Sequence, residues 1–272
     1  MNVVPVPILM YHSVSHHADQ RYRSFNISPD QFVEQMQYVA AQGYTPITVT
    51  QFAGALTGSG LALPHRPVVL TFDDGFADFY DNALPVLREY GFTATLYIPT
   101  AYVGGTSRWL KREGEAARPM LSWDQITEIQ AYGIECGAHS HTHLELDVLP
   151  ESAAHDEIVH SKNILDQHLA RPVSSFAYPY GYYTTRMRQM VRVAGYTSAC
   201  AVRYRTSSTA DDPYTLARLM VTPQTGLDGF AQMLSGRFSP VTSALLHVRY
   251  RIWQVVRRSR SRRAAVQGIA VV

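Results

Sequence analysis

The sequence predicts an α/β fold built from parallel βαβ units. Short apolar runs that end at turn residues alternate with helical stretches along most of the chain, a pattern typical of a parallel sheet with crossover helices. With 272 residues, 46% of them hydrophobic and 17% charged, the chain is long enough to bury one large core. No internal repeat is evident, so we expect a single domain.

Strands are predicted where apolar, often β-branched runs stop at turn residues, and helices where apolar residues recur every three or four positions. In chain order the predicted elements are strand 7–11, helix 29–41, strand 44–48, helix 50–56, strand 68–72, helix 77–90, strand 93–98, helix 123–131, strand 134–138, helix 151–169, strand 174–177, helix 184–194, strands 198–202 and 216–221, and a helix from about 227.

Residues with known preferences mark several helix ends. Ser28 and Ser122 stand before helices as N-caps, and Pro29 suits the first helical position. Gly43 and Gly91 close the first and third helices. Residues 102–121 have mixed polarity and no clear period, so we interpret them as a long loop or lid.

The composition argues against secretion and against a membrane span. The first ten residues have no basic n-region and no small-residue cleavage site, so we expect no signal peptide. No stretch reaches the ~20 apolar residues that a spanning helix needs. We therefore expect a cytoplasmic protein.

Charge is unevenly distributed along the chain. Residues 241–272 hold seven arginines and no acid, whereas residues 1–240 hold the other 17 Lys and Arg and all 22 Asp and Glu, a net charge of −5. We divide the chain into a main folded domain, 1–240, and a basic amphipathic tail, 241–272. The tail could lie on the inner face of a membrane or could be a solvated extension. No fold signal supports nucleic-acid binding.

Polar side chains cluster directly after two predicted strands. Asp73 and Asp74 follow strand 68–72, and His139 and His143 follow strand 134–138, at the edge where α/β barrels and open sheets place their sites. Neighbouring side chains of an extended strand point in opposite directions, so the two carboxylates can serve different partners. One carboxylate and two imidazoles match a catalytic zinc site, and the second carboxylate can act as a base on water.

Each group has a plainer interpretation when taken alone. Asp-Asp-Gly is commonly a strand end with a helix-capping aspartate, and a His-rich loop can be simply polar. The turn 178–181, Tyr-Pro-Tyr-Gly, could offer a backbone N–H to an oxyanion or could be an ordinary β-to-α turn. His12, after the first strand, would most often be structural.

The order of these groups resembles the polysaccharide deacetylases of carbohydrate esterase family four, which share the NodB-homology domain. Thr71–Gly75 is similar to the first family motif, His139–His143 to the second, and the turn 178–181 to the third. The resemblance extends from about Ile8 to Val221. It implies an α/β fold of the irregular (β/α) barrel type with fewer than eight regular strands.

The resemblance also implies a set of roles. Asp73 would be the catalytic base, and Asp74, His139 and His143 would bind one divalent metal ion, with zinc expected and nickel, cobalt or manganese as alternatives. The backbone N–H of Tyr180 would stabilise the oxyanion.

The chain departs from the family pattern in two places. The third motif lacks the arginine that orients the base in many members, and Arg218 could substitute for it or form a structural salt bridge. The last motif, Leu-x-His, normally lies near the C-terminus, where the best match ends at His247. The segment 8–12 looks instead like that strand moved to the front, as in the biofilm poly-N-acetylglucosamine deacetylases, so we assign the general acid to His12.

We therefore expect a metal-dependent hydrolase that removes N-acetyl groups from amino sugars of a polysaccharide or a lipid-linked glycan. Trp109, Tyr182 and Tyr183 are candidate platforms for the sugar. One alternative is an amidohydrolase that cleaves a non-sugar C–N bond on the same scaffold. Another is a glycan-binding pseudoenzyme, which would have no need of a base and an acid.

Overall fold

The computed structural model describes residues 3–58 and 62–236. The predicted basic tail and His247 lie outside the described residues. The strands of the described ranges are β1 Pro5–Val6, β2 Ile8–Tyr11, β3 Ser13–Val14, β4 Asn26–Ile27, β5 Thr45–Ile47, β6 Pro67–Phe72, β7 Thr95–Ile98, β8 Glu135–Ala138, β9 Ser175–Ala177, β10 Ser198–Val202, β11 Ser207–Ser208 and β12 Leu216–Met220. The helices are α1 Pro29–Ala41, α2 Val49–Leu56, α3 Leu84–Glu89, α4 Trp123–Ala131, α5 Glu151–His168, α6 Thr185–Val193 and α7 Gly226–Ser235.

Seven parallel strands of the described chain close into a barrel in the order β2-β12-β10-β9-β8-β7-β6, with β6 pairing back to β2. The closure is visible at Leu9, which pairs with Leu70 on one side and Leu219 on the other. Strand β5 is an eighth member of this sheet. It pairs with the first half of β6, whereas β7 pairs with the second half. The predicted irregular barrel with fewer than eight regular strands is confirmed.

The helices begin where the sequence indicates, with one exception. Ser28 and Ser122 cap α1 and α4 with full capping boxes, and Thr48 does the same for α2. The helix predicted over 77–90 is instead a π-helical turn, Phe79–Ala83, followed by α3. Pro85 lies in the first turn of α3, and because it has no N–H, a continuous α-helix would lose a hydrogen bond there.

The side chains of each barrel strand alternate between two buried layers. Leu9 and Leu70 belong to the layer between barrel and helices, whereas Ile8 and Val69 belong to a second cluster in the barrel interior. Asp73 continues the interior row beyond Val69, because every second side chain of a strand faces the same side. Within the described ranges, none of the helices combines the length and the apolar character that crossing a bilayer requires.

Candidate active site

Asp73 and Asp74 diverge because the chain leaves β6 in a left-handed turn. The Asp73 N–H donates to Tyr11 O (2.9 Å), so the ladder with β2 continues to this residue. Asp74 has φ 73° and Gly75 has φ 67°, a conformation that costs a non-glycine residue of order 1–3 kcal/mol. This turn, and not the alternation of an extended strand, separates the two buried carboxylates.

The loop after β8 brings two histidines to Asp74. His143 Nε2 lies 3.1 Å and His139 Nε2 lies 3.6 Å from Asp74 Oδ1, and all three side chains are buried with their ligand atoms within 4.8 Å of one another. Ser140 (φ 61°) and His143 (φ 58°) are left-handed, so this segment is a folded loop and not a helix. The structure brings together the three residues proposed as metal ligands.

The donor atoms of this cluster fit a divalent metal ion. His139 Nδ1 lies 2.8 Å from Ala177 O, so it must donate a proton to that carbonyl, which directs the Nε2 lone pair into the cluster. Burial lowers the pKa of His139 to about 4, which keeps the ring neutral near pH 7. Although His143 Nε2 lies 3.1 Å away, Asp74 Oδ1 is buried and accepts no hydrogen bond of good geometry among the described residues, a costly state that a bound cation would relieve.

Asp73 is paired with Arg218 in the barrel interior. Arg218 Nη1 donates to Asp73 Oδ1 (2.6 Å) and Nη2 donates to Oδ2 (2.7 Å), while Nη1 also lies 3.3 Å from Thr71 Oγ1. Arg218 is fully buried. Burial raises the pKa of Asp73, but the Arg218 guanidinium and His139 outweigh it and hold that pKa below its usual value. Arg218 thus contacts the carboxylate that an arginine of the third motif would orient.

His12 lies directly after β2 at the same end of the barrel. Its ring packs edge-on against Phe25, with 5.0 Å between centroids, and its Nδ1 is buried without a hydrogen-bond partner among the described residues. Burial lowers the pKa of His12, although the nearby carboxylates of Asp74 and Asp73 act in the opposite direction. The structure therefore places His12 within electrostatic range of the carboxylate pair. Its role as the general acid stays a prediction.

Tyr180 occupies a tight turn after β9. It has φ 59° and ψ 4°, and its ring centroid lies 4.9 Å from that of His143. The next amide, Gly181 N–H, donates to Tyr178 O (2.8 Å), whereas no hydrogen bond of the Tyr180 N–H is found within the described ranges. The turn can therefore offer this N–H to a ligand beside the histidines.

The three aromatic residues proposed as sugar platforms differ in their surroundings. The Trp109 ring lies 5.1 Å from the His143 ring, measured between centroids, and Tyr182 faces Tyr180 at 6.3 Å. Tyr183 stacks on the buried Tyr178 at 4.9 Å. Trp109 and Tyr182 thus adjoin residues of the site, whereas one face of Tyr183 is covered by the protein. The platform roles stay predictions.

Two residues at the site were missed at the level of sequence. Tyr22 OH donates to Asp74 Oδ2 (3.3 Å). Arg118 contacts Asp78 Oδ2 (2.9 Å) and Ser13 Oγ (2.7 Å), and it thereby fastens residues 102–121 beside His12 and the Asp73-Asp74 turn. No motif marks either residue, because each lies far along the chain from the groups that it contacts.

Comparison with known proteins identifies the family. The sequence model of one family, described as polysaccharide deacetylase, matches residues 61–199, about half of the chain, including both aspartates and both histidines of the site. The chain belongs to the polysaccharide deacetylase family.

Several relatives of this polysaccharide deacetylase cover most of its length. The Bacillus subtilis protein YxkH is 28% identical over 226 residues, which are 83% of this chain and 74% of the relative. A Staphylococcus epidermidis protein named poly-beta-1,6-N-acetyl-D-glucosamine N-deacetylase is 24% identical over 210 residues, 73% of this chain and 69% of that one.

Solved structures give the same result for the fold. The Streptococcus pyogenes deacetylase PplD, solved in complex with acetate, has a TM-score of 0.74 and 27% identity, and the match covers 86% of this chain and 99% of PplD. IcaB from Ammonifex degensii has a TM-score of 0.72 and 25% identity, with 85% and 96% covered.

Proposed function

We propose that this polysaccharide deacetylase uses a divalent metal ion to hydrolyse N-acetyl groups of a poly-N-acetylglucosamine-type polymer, releasing acetate and leaving free amines. The observation that carries the proposal is the buried Asp73–Arg218 pair beside the Asp74–His139–His143 cluster. A protein that only bound glycan would have no use for an ionised carboxylate next to a set of metal ligands. The name of the Staphylococcus epidermidis relative and the acetate in PplD support the polymer and the product.

The metal ion would be held by Asp74, His139 and His143. Mixed imidazole and carboxylate donors with an open position suit zinc. When bound, such an ion polarises the acetamide carbonyl and lowers the pKa of a coordinated water to about 7. Tyr22 OH would orient Asp74 by donating a hydrogen bond to its Oδ2, and Ala177 O would orient His139 by accepting one from its Nδ1.

Asp73 would take the proton from the attacking water. Because Arg218 holds both of its oxygens, Asp73 is fixed in place and kept ionised, as a base must be before the reaction. The N–H of Tyr180 would donate to the carbonyl oxygen as that oxygen gains negative charge. Loss of one such donor typically costs about 2.7–4 kcal/mol in the barrier.

His12 would supply the proton that the leaving nitrogen needs. An amide nitrogen departs as a neutral amine only if it is protonated while the C–N bond breaks. Burial makes protonated His12 a stronger acid than a solvated histidine. At the end of the reaction the proton from water is on Asp73 and the proton from His12 is on the amine. Every proton of the hydrolysis is therefore accounted for.

The first test is acetate release by the purified full chain. We expect acetate from a β-1,6-linked N-acetylglucosamine oligomer and none from an N-acetyl-lysine peptide. Release from the peptide alone would favour the amidohydrolase alternative. Binding of the oligomer without acetate release, in metal-loaded protein, would favour a glycan-binding pseudoenzyme.

The second test separates the metal ligands from the base. Asp74→Ala, His139→Ala and His143→Ala should each lose metal and activity together, because each removes one of three donors. Asp73→Asn should keep its metal and lose turnover. Metal content would be measured by mass spectrometry, and full occupancy in the first three variants would refute the ligand assignment.

A further inference from the structure

The segment that carries two of the three proposed metal ligands is neither helix nor strand. Residues 139–143, which we call the ligand loop, lie between β8 and α5, and Ser140 and His143 have left-handed backbone. The N–H and C=O groups of such a loop need hydrogen-bond partners from other parts of the molecule. The conformation of the ligand loop, and with it the position of both imidazoles, therefore depends on the segments that supply these partners.

The carbonyl groups of the ligand loop are held by the chain that follows β7. The N–H of Ala101 donates to His141 O (2.9 Å), and Tyr102 OH donates to Thr142 O (3.2 Å). The first of these contacts joins backbone to backbone, so it does not depend on which side chains are present. This side of the loop has a support that a substitution does not remove.

The N–H groups in the middle of the ligand loop are held by one side chain, the carboxylate of Glu157 on α5. Glu157 Oε2 accepts from the N–H of His141 (2.9 Å) and from the N–H of Thr142 (2.7 Å), and Glu157 Oε1 accepts from Thr142 Oγ1. Hydrogen bonds to an ionised acceptor are roughly twice as strong as those between neutral groups. A single, partly buried carboxylate thus binds three donors of the loop.

The two imidazoles of the loop differ in how their rings are fixed. His139 Nδ1 donates to Ala177 O at 2.8 Å, the type of contact that usually orients a metal-binding histidine. His143 Nδ1 is buried and has no hydrogen-bond partner among the described residues. The orientation of the His143 ring therefore depends on the backbone of the ligand loop and on the rings of Trp109 and Tyr180 that pack around it.

We propose that Glu157 is a positioning residue for the metal site and that it acts by holding His143 in place. This inference rests on the proposed function. Glu157 fixes the two residues that precede His143, so the imidazole stands beside Asp74 before the ion binds, and binding does not have to offset the entropy of ordering the loop. Glu157 is not itself a ligand, because both of its oxygens are engaged and it lies outside the cluster of candidate ligands.

The test measures the zinc affinity of the purified full chain by competition with a chromogenic chelator. Glu157→Ala should weaken this affinity by about 10–100-fold, the range typical of residues that orient metal-binding histidines. Glu157→Gln keeps an acceptor oxygen but loses the charge, so its affinity should lie between those of Glu157→Ala and the wild type. In both variants kcat should return to near the wild-type value when free zinc is buffered at a saturating level, because all three ligands are intact.

Asp166→Ala is the matched control on the same helix. Asp166 Oδ1 also accepts from a backbone N–H, that of Val173 at 2.7 Å, but it fastens the other end of α5. This variant should lose stability and keep the wild-type zinc affinity. The inference is overturned if both Glu157 variants keep that affinity, if Asp166→Ala weakens it equally, or if saturating zinc does not restore kcat. A wild-type chain that binds no zinc would overturn the metal ion of the proposed function and this inference with it, whereas equal binding by the wild type and the Glu157 variants would overturn the inference alone.

Discussion

The Asp73 carboxylate is held at both oxygens by a guanidinium that is fully buried inside the barrel. A bidentate pair fixes the plane of the carboxylate and keeps it ionised, and a lysine could not reproduce that geometry. Arg218 reaches this carboxylate from a strand 145 positions further along the chain; that it substitutes for the arginine of the third motif stays a prediction.

Removal of Arg218 should cost both stability and turnover. Arg218→Met leaves the Asp73 charge buried without a partner, so we expect a loss of about 3–5 kcal/mol in the free energy of unfolding, measured by chemical denaturation, and a large fall in kcat.

The double variant Asp73→Asn/Arg218→Met is the control for the pair. It should be more stable than Arg218→Met alone, because no unpaired charge remains buried. Equal stability of the single and double variants would mean that the ion pair contributes little.

At the scale of elements, backbone in the left-handed region recurs where strands deliver residues to the site. Asp74, Ser140, His143 and Tyr180 all have positive φ. Each of these loops must reverse direction within a few residues to bring its side chain or N–H back over the barrel end. Strain of this kind persists only where the surrounding structure holds it in place.

Gly181 is the residue that allows the Tyr180 turn. It has φ +73°, and a Cβ there would lie 2.5 Å from a methyl carbon of Val202 and 2.6 Å from its backbone N. We expect Gly181→Ala to lower the free energy of unfolding by roughly 2–6 kcal/mol, the sum of strain and overpacking. It should also reduce kcat, because the Tyr180 N–H shifts.

Gly43→Ala provides the comparison for that prediction. Gly43 has φ +66°, but a Cβ added there would have no atom within 4 Å. The Gly43→Ala variant therefore measures backbone strain alone, without a steric clash. It should lose about 1 kcal/mol and keep full kcat. Similar losses of stability and activity in both variants would show that the contact with Val202 is unimportant.

At the scale of the whole molecule, the contrast in charge between residues 1–240 and the arginine-rich tail suggests a location. We propose that the chain works at the inner face of a membrane, where the tail would meet anionic lipid and the substrate could include a lipid-linked glycan.

The full chain should co-sediment with vesicles that contain phosphatidylserine, and less so at high salt, because screening weakens the attraction of basic residues for the surface. The variant with Arg257, Arg258, Arg260, Arg262 and Arg263 changed to Gln should remain in the supernatant. Equal sedimentation of the two proteins would exclude a charge-driven association.

Much of the fold was already determined by local sequence. Capping residues and apolar periodicity act within one or two turns, so Ser28, Ser122 and the strand before Asp73 could be predicted from their neighbours alone. The exception, the helix interrupted before Pro85, was also a local signal that could have been used. The candidate ligands Asp74, His139 and His143 were predictable because they lie in the short segments that follow two strands, β6 and β8.

Tertiary structure alone decided the contacts between distant segments. The pairing of β2 with both β6 and β12 closes the barrel, and this closure places Arg218 against Asp73 and Tyr22 against Asp74. Such contacts leave no periodic pattern, because they depend on how strands from the two ends of the chain meet. The sequence by itself thus determined the chemistry available at the site, and barrel closure decided which groups orient it.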